Sequence, residues 1–332
     1  MARKKKTSIS DIAKALGISV TTVSFILNGK AKEKRISDAL TKRVLAYVQK
    51  VGYRPSQLVR KPVGRVRVLA LLLEDVTDPF YVAVGKQIEK VVSGKGYQLL
   101  YLDTANSLDK TRQQLQLCME KDVDGVLLVP PEGFEDLLSK IKEAMPIVLL
   151  ERFMPGMDLS YVLSDNRKAV YEVTKRLAEQ GAKKIGFVSV YSNQTHFKAR
   201  LEGYIDAVDE YRLQSFMQKL EGEMSSSEKA GQIVDFLSGH KLDAVLFATA
   251  DLAINGLNGI KEAGVKLPGI VAFNDHPLFS ICTPSVSAIV QDVDALARHA
   301  STILLDEIEG KQKESSHFLV PCIWNERDST RF

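Results

Sequence analysis

The chain has 332 residues, of which 45% are apolar and 26% are charged. This length predicts two or three folding units, and the composition excludes a largely disordered chain, a collagen-like chain and a disulfide scaffold. No apolar run approaches the roughly 18 residues that cross a bilayer, and no apolar stretch follows the basic start as it would in a signal peptide. We therefore expect no membrane contact. Three cysteines without close spacing suit a reducing compartment and argue against structural zinc.

Charge is divided unevenly along the chain. Residues 1–67 hold 17 lysines and arginines against 3 acidic residues, whereas the other 265 residues hold 28 basic and 38 acidic residues. A basic fifth joined to an acidic remainder predicts a nucleic-acid-binding module attached to a second unit. The alternative is a solvated basic tail.

The basic segment has helical periodicity, which argues against a tail. Apolar residues share one helix face from Ile9 to Leu16, Gly17 ends that helix, and Ser19 is a candidate cap for a second helix. A third helix is predicted from Ser37. Three short helices with a tight turn after the first indicate a helix-turn-helix unit. The positions expected to face inward are Ile9, Ile12, Ala13, Leu16, Val20, Val23, Leu27, Leu40, Val44, Val48 and Val51.

The second helix is the predicted DNA-reading element. Thr21, Phe25 and Asn28 cluster on one face at 100° per residue, where Thr and Asn can bond base edges and an apolar ring can touch a thymine methyl group. Phe25 could instead be a core residue, although its phase is wrong for the core. Nearby basic side chains would contact phosphates. The residues of the head expected to contact DNA are Ser19, Val20, Thr21, Thr22, Ser24, Phe25, Asn28, Lys32, Arg35 and Arg54.

The run SISDIAKALGISVTTVSFILNGK, followed by RIS and by VGYRPSQLVR, resembles the head of the lactose-repressor/galactose-repressor (LacI) family. This resemblance implies a hinge helix that folds on operator DNA and wedges into the minor groove, with Ser56, Val59, Arg60 and Pro62 at hinge positions. The family usually has leucine where this chain has Pro62. Proline can serve as an apolar wedge, but it also breaks helices, so both outcomes stay open.

Beyond the head, short apolar runs alternate with helical patterns, which predicts parallel sheets with helices on both faces. About 265 residues is large for one doubly wound sheet, so two smaller sheets are expected, with a crossover near Asp165-Asn166. The predicted strands are Val66–Leu73, Gln98–Leu102, Gly125–Val129, Ile147–Leu150, Lys184–Val190, Ala244–Ala248, Gly269–Phe273, the run SAIVQ before Asp292, and Phe318–Trp324.

The phrases VTDPFYVAVGKQIEKVVSGKGYQL, KDVDGVLLVPP, KARLEGY and VAFND make this body similar to the periplasmic-binding-protein-like effector domain of the same family. The resemblance implies an all-α helix-turn-helix head and an α/β body of two doubly wound, Rossmann-like subdomains. It divides the chain into a DNA-binding domain at 1–58, a hinge at 59–66 and an effector-binding and dimerisation domain at 67–332, whose subdomains comprise about 67–163 with 292–317 and about 164–291 with 318–332.

Doubly wound sheets bind ligands beyond the carboxyl ends of their strands, so two such sheets facing each other predict a cleft lined by polar and aromatic residues. Asp251 and Asp275 could instead cap helices, Glu151 and Arg152 could form a solvated ion pair, and Tyr81 could be core. The candidate effector-binding residues are Phe80, Tyr81, Glu151, Arg152, Asn193, His196, Arg200, Asp251, Asn274, Asp275 and Gln291. The resemblance matches Arg200 to an effector-contacting arginine, and Asn274 to a position where members often have Asp.

Motifs of catalysis are absent from the sequence. It has no phosphate loop, dinucleotide fingerprint, HExxH or GxSxG motif, and its five histidines lack metal-ligand spacing. His276 beside Asp275 could form an acid–base pair, but a loop position is favoured. We therefore expect no enzyme activity, no catalytic residue, no cofactor and no metal.

The predicted function is that of a cytoplasmic, nucleoid-associated transcriptional regulator, usually a repressor. It would bind a pseudo-palindromic operator in double-stranded DNA as a homodimer, with Pro79–Gly94 at the dimer interface by family resemblance. A small-molecule effector, a sugar or sugar phosphate by resemblance, would control it. The alternatives are a periplasmic-type sugar-binding protein and a regulator that responds to a nucleobase or nucleoside.

Overall fold

The computed structural model describes residues 9–27, 31, 33–51, 66–135, 138, 141, 144–312 and 314–331. The chain divides into two compact units, residues 1–66 and residues 67–332. Within the described ranges, no helix combines the length and the apolar character needed to cross a membrane.

The first unit, the head, contains helices α1 (Ile9–Leu16), α2 (Val20–Leu27) and α3 (Asp38–Lys50). Gly17 adopts φ of +64°, a conformation that glycine reaches without steric cost, and so ends α1. The Ser19 hydroxyl accepts a hydrogen bond of 3.0 Å from the Thr22 backbone N–H, which confirms its role as the cap of α2. Ser37 Oγ accepts from the Leu40 N–H, so Ser37 precedes α3 instead of beginning it.

The core of the head differs from the sequence prediction in α2, where Ile26 is buried and Val20 is not. Val23 and Ile26 are the buried residues of α2 and Leu27 packs at the edge of the core, whereas Val20 is 44% exposed. The expected inward position of Val20 is therefore wrong, because the buried stripe is centred on two residues three apart and Val20 lies in the first turn. The buried cluster consists of Ile12, Ala13, Leu16, Val23, Ile26, Val44 and Val48.

The second unit, the body, contains two six-stranded sheets in a doubly wound arrangement. The first sheet has the strand order β11-β5-β4-β3-β1-β2, and all of its pairings are parallel. Its strands are β1 (Arg67–Leu73), β2 (Tyr97–Asp103), β3 (Gly125–Leu128), β4 (Ile147–Leu150), β5 (Tyr161–Ser164) and β11 (His317–Val320). The helices α4 (Pro79–Ser93), α5 (Leu108–Glu120) and α11 (Val293–Ile308) belong to this first lobe.

The second sheet has the order β12-β10-β9-β8-β6-β7, and only the β10–β12 pairing is antiparallel. Its strands are β6 (Ile185–Val190), β7 (Phe216–Leu220), β8 (Ala244–Phe247), β9 (Gly269–Phe273), β10 (Ser287–Val290) and β12 (Ile323–Asn325). The helices of this second lobe are α6 (Asn166–Glu179), α7 (Thr195–Glu210), α8 (Ser226–His240), α9 (Ala250–Ala263) and α10 (Pro277–Ile281), and a 3-10 turn spans Asp328–Thr330. One apolar cluster fills this lobe, and two clusters cover the two faces of the first sheet.

The chain passes between the two lobes three times, after Ser164, after Val290 and after Val320. The sequence predicted one final strand over 318–324, but the structure has β11 in the first sheet and β12 in the second. Pro321 lies between them and has no N–H to offer a ladder. Residues 318–320 thus belong to the first lobe, which corrects the predicted subdomain boundary at residue 317.

Candidate functional site

The exposed face of α2 carries both apolar and polar side chains. Val20 and Thr21 are exposed, and Thr22 is half-buried. Phe25 is half-buried, lies outside the core cluster of the head, and has the Lys34 ammonium 5.4 Å from its ring centre. The sequence alternative of a core Phe25 is therefore wrong, because the ring lies next to a cation at the surface.

The other DNA-contact predictions divide between described and undescribed residues. Ser19 is exposed and its Oγ lies 2.8 Å from Thr22 Oγ1. Ser24 is half-buried and Arg35 is exposed. The remaining predicted contacts lie outside the described residues: Asn28, Lys32, Arg54, Ser56, Val59, Arg60 and Pro62.

A cavity of about 500 Å³ lies between the lobes of the body, at the carboxyl ends of β1, β4, β8 and β9. Parallel strands end at one edge of a sheet, so residues distant in sequence meet there. Nine of the eleven candidate effector-binding residues line it: Phe80, Tyr81, Glu151, Arg152, His196, Arg200, Asp251, Asn274 and Asp275. We refer to it below as the interlobe cavity.

Two candidates do not line the interlobe cavity. Asn193 is exposed and donates from Nδ2 to Glu132 Oε1 at 3.0 Å, beside a separate depression of about 380 Å³. Gln291 is buried behind Glu151, with its Nε2 within 2.8 Å of both carboxylate oxygens. Both residues follow strands as predicted, but a position after a strand does not determine whether the side chain lines the cavity.

Arg200 is the main buried cation of the second-lobe wall. Its Nε donates to Asn166 Oδ1 at 2.8 Å, an NH group donates to the Ala248 carbonyl at 2.7 Å, and the guanidinium lies 3.5 Å from the centre of the Phe273 ring. Burial lowers the pKa of Arg200 to about 10, and the Glu151 charge opposes that shift. The residue is charged at neutral pH and is held by neutral acceptors and an aromatic face.

Glu151 lies where the two lobes join. Its backbone has φ of +62°, an uncommon conformation for a non-glycine residue. Burial raises the pKa of its carboxyl, although hydrogen bonding from Gln291 opposes the shift. Gln291 Nε2 also lies 2.7 Å from Ser164 Oγ. Because Ser164 and Gln291 stand at two of the three crossovers, this network connects the cavity wall to the lobe junction.

Arg152 pairs with Glu74 at the carboxyl end of β1, not with its neighbour Glu151. An NH group of Arg152 also donates to Asn106 Oδ1 at 3.0 Å and to the Pro130 carbonyl at 3.2 Å. Burial lowers the pKa of Arg152 to about 9. The alternative of a solvated Glu151–Arg152 pair is wrong, because both residues are buried and each has a different partner.

Besides Glu74 Oε2, which pairs with Arg152, three buried polar atoms of the cavity lining lack a hydrogen-bond partner within the described part of the chain. They are Asn274 Oδ1, His196 Nδ1 and Arg152 Nε. Asn274 has φ of +70° at the end of β9. Burial, and then the charge of Arg200, hold the pKa of His196 well below its ordinary value, so the imidazole is neutral. Buried polar atoms rarely remain unsatisfied, so these three mark positions where a bound molecule can supply the partner.

The contacts of Asp251 and Asp275 decide between binding, helix capping and an acid–base pair with His276. Asp275 forms a bidentate ion pair with Arg327, at 2.9 and 2.6 Å, while His276 Nδ1 accepts from the Leu278 N–H and caps α10. An Asp275–His276 acid–base pair is therefore not formed. Asp251 lies in the first turn of α9, whose cap is Thr249. Among the described residues, no group of three or more histidine, cysteine, aspartate or glutamate side chains could hold a metal ion.

Tyr81 is half-buried, and it both lines the cavity and packs against the first-lobe core. Burial, with a smaller contribution from the Glu151 charge, raises the pKa of its phenol well above the ordinary value. Tyr81 therefore presents a neutral hydroxyl. Its ring centre lies 5.3 Å from that of Phe80, which gives the first-lobe wall an aromatic pair.

Several lining residues were missed by the sequence analysis. Asp75, Thr77 and Asp78 follow β1 directly, and a strand-end rule applied to β1 would have found them. Phe197 and Ile254 carry no comparable signal, because apolar residues on helices are ordinary core candidates. The full set of additional lining residues is Glu74, Asp75, Thr77, Asp78, Pro79, Phe197, Thr249, Ala250, Ile254 and His276.

A larger depression of about 770 Å³ lies at the opposite end of the second sheet, where its strands begin. Its lining includes Lys241, Asp243 and Lys266, whose side chains are exposed. The Asp243 carboxylate already accepts hydrogen bonds from the backbone N–H groups of Lys183 and Lys184. The smaller interlobe cavity, with its buried polar atoms, is therefore the better candidate site.

The helix-turn-helix head and the two-lobed body with its interlobe cavity define a DNA-binding regulator with a ligand-binding domain. Residues 66–326 match the family of periplasmic binding proteins and sugar-binding domains of the LacI family, and residues 8–56 match the bacterial regulatory proteins of the lacI family. The chain belongs to the LacI family of transcriptional regulators.

The relatives agree with this assignment. The ribose operon repressor of Halalkalibacterium halodurans is 26% identical over 334 residues, covering 98% of this chain and 97% of that protein. The Cra regulator of Pseudomonas putida, solved with fructose 1-phosphate, has a TM-score of 0.71 at 20% identity, covering 80% of this chain and 100% of its own. A regulator from Alkaliphilus metalliredigens, solved with D-xylulofuranose, has a TM-score of 0.69 at 19% identity, with coverage of 80% and 100%.

Proposed function

We propose that this chain is a repressor that binds a pseudo-palindromic operator as a homodimer and is controlled by a sugar-like effector in the interlobe cavity. The observation that carries the proposal is the interlobe cavity itself, whose unsatisfied Asn274 Oδ1 and His196 Nδ1 lie in a chain that also has a helix-turn-helix head. We assign residues 1–58 to DNA binding, 59–66 to a hinge and 67–332 to effector binding and dimerisation. The lobes within that body comprise about 67–163 with 292–320, and about 164–291 with 321–332.

The proposed switch is a population shift between closure angles of the two lobes. A ligand that contacts Arg200 and Asn274 on one lobe and Tyr81 on the other binds one closure angle more tightly. It can shift the equilibrium only by that difference in affinity. A coupling of about 1 to 3 kcal/mol changes operator affinity roughly 5- to 150-fold.

The homodimer has support on the first lobe. Val82 on α4 is 49% exposed, and Tyr101 on the edge strand β2 is 38% exposed. Large apolar side chains exposed on adjacent elements favour an association surface. A dimer would present two heads to two half-sites, and an operator-binding protein works where DNA is, in the cytoplasm on the nucleoid. We assign no catalytic step and no membrane partner to the protein.

The DNA-binding part of the proposal is tested with Thr21→Ala in the full chain. Operator fragments are first selected from genomic DNA with the wild-type protein, and affinity is then measured by fluorescence anisotropy on the selected and a scrambled sequence. Loss of a base contact should weaken specific binding by about 1 to 3 kcal/mol and leave scrambled DNA unchanged. The matched control is Ser227→Ala, which removes an exposed hydroxyl from α8 of the body. Equal weakening on both sequences would remove Thr21 from the reading face.

A further inference from the structure

The interlobe cavity carries an excess of negative charge. Six carboxylates and two guanidinium groups line it: Glu74, Asp75, Asp78, Glu151, Asp251 and Asp275, with Arg152 and Arg200. Two of the carboxylates are already neutralised. Glu74 pairs with Arg152, and Asp275 pairs with Arg327.

Two further carboxylates of the lining, Asp75 and Asp251, are exposed to solvent. Hydrogen bonds from Thr77 lower the pKa of Asp75, so it is ionised at neutral pH. Asp251 has a 70% exposed side chain, and the Lys229 ammonium is 4.0 Å away. The positive charge of the lining that has no ion-pair partner within the described residues is Arg200. An entering anion thus meets a negative field before it reaches one buried guanidinium.

One helix N-terminus at the cavity, that of α4, is already occupied by a carboxylate. Helix α4 begins at the cavity, and the Asp78 carboxylate accepts a 2.7 Å hydrogen bond from the Phe80 N–H there. A helix N-terminus binds phosphate through free N–H groups and its positive dipole. With Asp78 in that place, a phosphate would face a fixed negative charge.

The unsatisfied groups favour a neutral molecule with hydroxyl groups. Arg152 Nε is a buried donor without a partner in the described chain, and Asn274 Oδ1 is a buried acceptor in the same position. A hydroxyl group both donates and accepts, so a polyol satisfies both kinds of atom. The rings of Phe80, Tyr81 and Phe197 supply the apolar faces on which a sugar ring can stack.

We propose that the interlobe cavity selects an uncharged, hydroxyl-rich ligand and rejects the phosphate monoester of the same compound. This inference rests on the proposed function in that the cavity is taken as the effector site. It separates this chain from its structural neighbour solved with fructose 1-phosphate and places it with the neighbour solved with an unphosphorylated sugar.

The electrostatic field in the interlobe cavity can be measured without knowing the identity of the ligand. Ala250 lines the cavity at the start of α9 and is half-buried, so Ala250→Cys introduces a reporter thiol there. The full-length variant is labelled with a cationic and an anionic methanethiosulfonate, and modification at residue 250 is followed by peptide mass spectrometry. Relative to a free thiol in solution, we expect the cationic reagent to be favoured at least about tenfold.

A second variant makes the labelling result specific. Asp251→Asn in the Ala250→Cys background removes one exposed carboxylate of the lining and should reduce the preference for the cationic reagent, as should a rise in salt to about 1 M. Equal labelling by both reagents, or a preference for the anionic one, would overturn the proposal.

Ligand selectivity is then measured by calorimetry on the full wild-type chain with matched pairs. The probes are D-ribose and D-ribose 5-phosphate, D-fructose and fructose 1-phosphate, and adenosine and its 5′-monophosphate. We expect binding only from unphosphorylated members, with each phosphate weaker by at least about tenfold. A phosphate that binds as tightly as its parent would overturn the proposal, and the labelling ratio decides if no probe binds. Operator binding is measured separately. If the chain prefers neutral ligands but does not bind DNA, the proposed regulator function is rejected and this inference still holds.

Discussion

The two walls of the interlobe cavity each contain a buried arginine, and the two arginines are compensated in different ways. On the first lobe, Arg152 has the Glu74 carboxylate as its partner. On the second lobe, Arg200 has an amide oxygen, a carbonyl and the face of Phe273. A buried charge normally needs an opposite charge or several hydrogen bonds. The arginine of the first wall is therefore neutralised by a carboxylate, whereas the arginine of the second wall has no carboxylate partner within the described residues.

This difference predicts a structural role for Arg152 and a ligand-binding role for Arg200. Arg152 uses both of its terminal NH groups on Glu74, Asn106 and Pro130, so it holds the first lobe together, and its Nε alone lacks a partner within the described residues. Arg200 makes two hydrogen bonds with five available N–H donors, which leaves donors for a ligand. The first wall should respond to mutation with a loss of stability, and the second with a loss of ligand binding.

The largest loss of stability is expected from Glu74→Gln. The change leaves the Arg152 guanidinium buried without a carboxylate, which should lower the free energy of unfolding by about 3 kcal/mol. Urea unfolding followed by circular dichroism gives the value, with the exposed Glu223→Gln on the second lobe as the matched control. A loss below about 1 kcal/mol would show that Arg152 is compensated by other groups.

A smaller and pH-dependent loss is expected from Gln291→Met. Removing Nε2 leaves the Glu151 carboxylate with fewer donors, so its already raised pKa rises further. The folded state then binds a proton more tightly than the unfolded chain, and stability falls as pH rises from the ordinary glutamate pKa through the raised one. The destabilisation should be small near pH 5 and reach about 1 to 3 kcal/mol near pH 8.

The control for that pH dependence is a variant without the titrating group. In Glu151→Gln, the further change Gln291→Met should produce a loss that does not vary with pH. Unfolding free energies of the four proteins across this pH range form a double-mutant cycle. An identical pH slope with and without Glu151 would assign the effect to another residue.

The smallest stability change is expected from Asp251→Asn. The carboxylate is mostly exposed and its ion pair with Lys229 is long, so the free energy of unfolding should change by less than about 0.5 kcal/mol. Urea unfolding next to Glu74→Gln tests this contrast between an exposed and a buried pair. A loss comparable with that of Glu74→Gln would mean that the rim of the cavity is also structural.

Local sequence pattern was sufficient for most of the fold. The strands Ile147–Leu150 and Gly269–Phe273 have their predicted bounds, because both are continuous apolar runs buried on two faces. The strand Phe216–Leu220 was missed, since only its two end residues are buried and the rest alternates with exposed side chains at the sheet edge. The strand His317–Val320 was merged with its successor because the pattern does not reveal a change of sheet.

The sequence predicted where the cavity lies, but it did not predict which side chains contact one another there. Glu151 and Asn274 follow from the rule that ligands bind at strand ends, and Arg200 was found by its match to the effector-contacting arginine of the family. Gln291 follows the same rule and yet lies behind Glu151, 140 residues away in sequence. Pairings such as Glu74 with Arg152 depend on which strands become neighbours and on side-chain direction, and neither is encoded in local periodicity.

The most direct test of the account is an operator titration of the wild-type chain and Arg200→Ala, without ligand and with each unphosphorylated probe in excess. We expect the two proteins to bind the operator equally without ligand, because the head is unchanged. At least one probe should change the wild-type affinity roughly 5- to 150-fold and leave Arg200→Ala unaffected. If every probe leaves the wild-type affinity unchanged, or if Arg200→Ala responds as the wild type does, then the second-lobe wall does not control DNA binding.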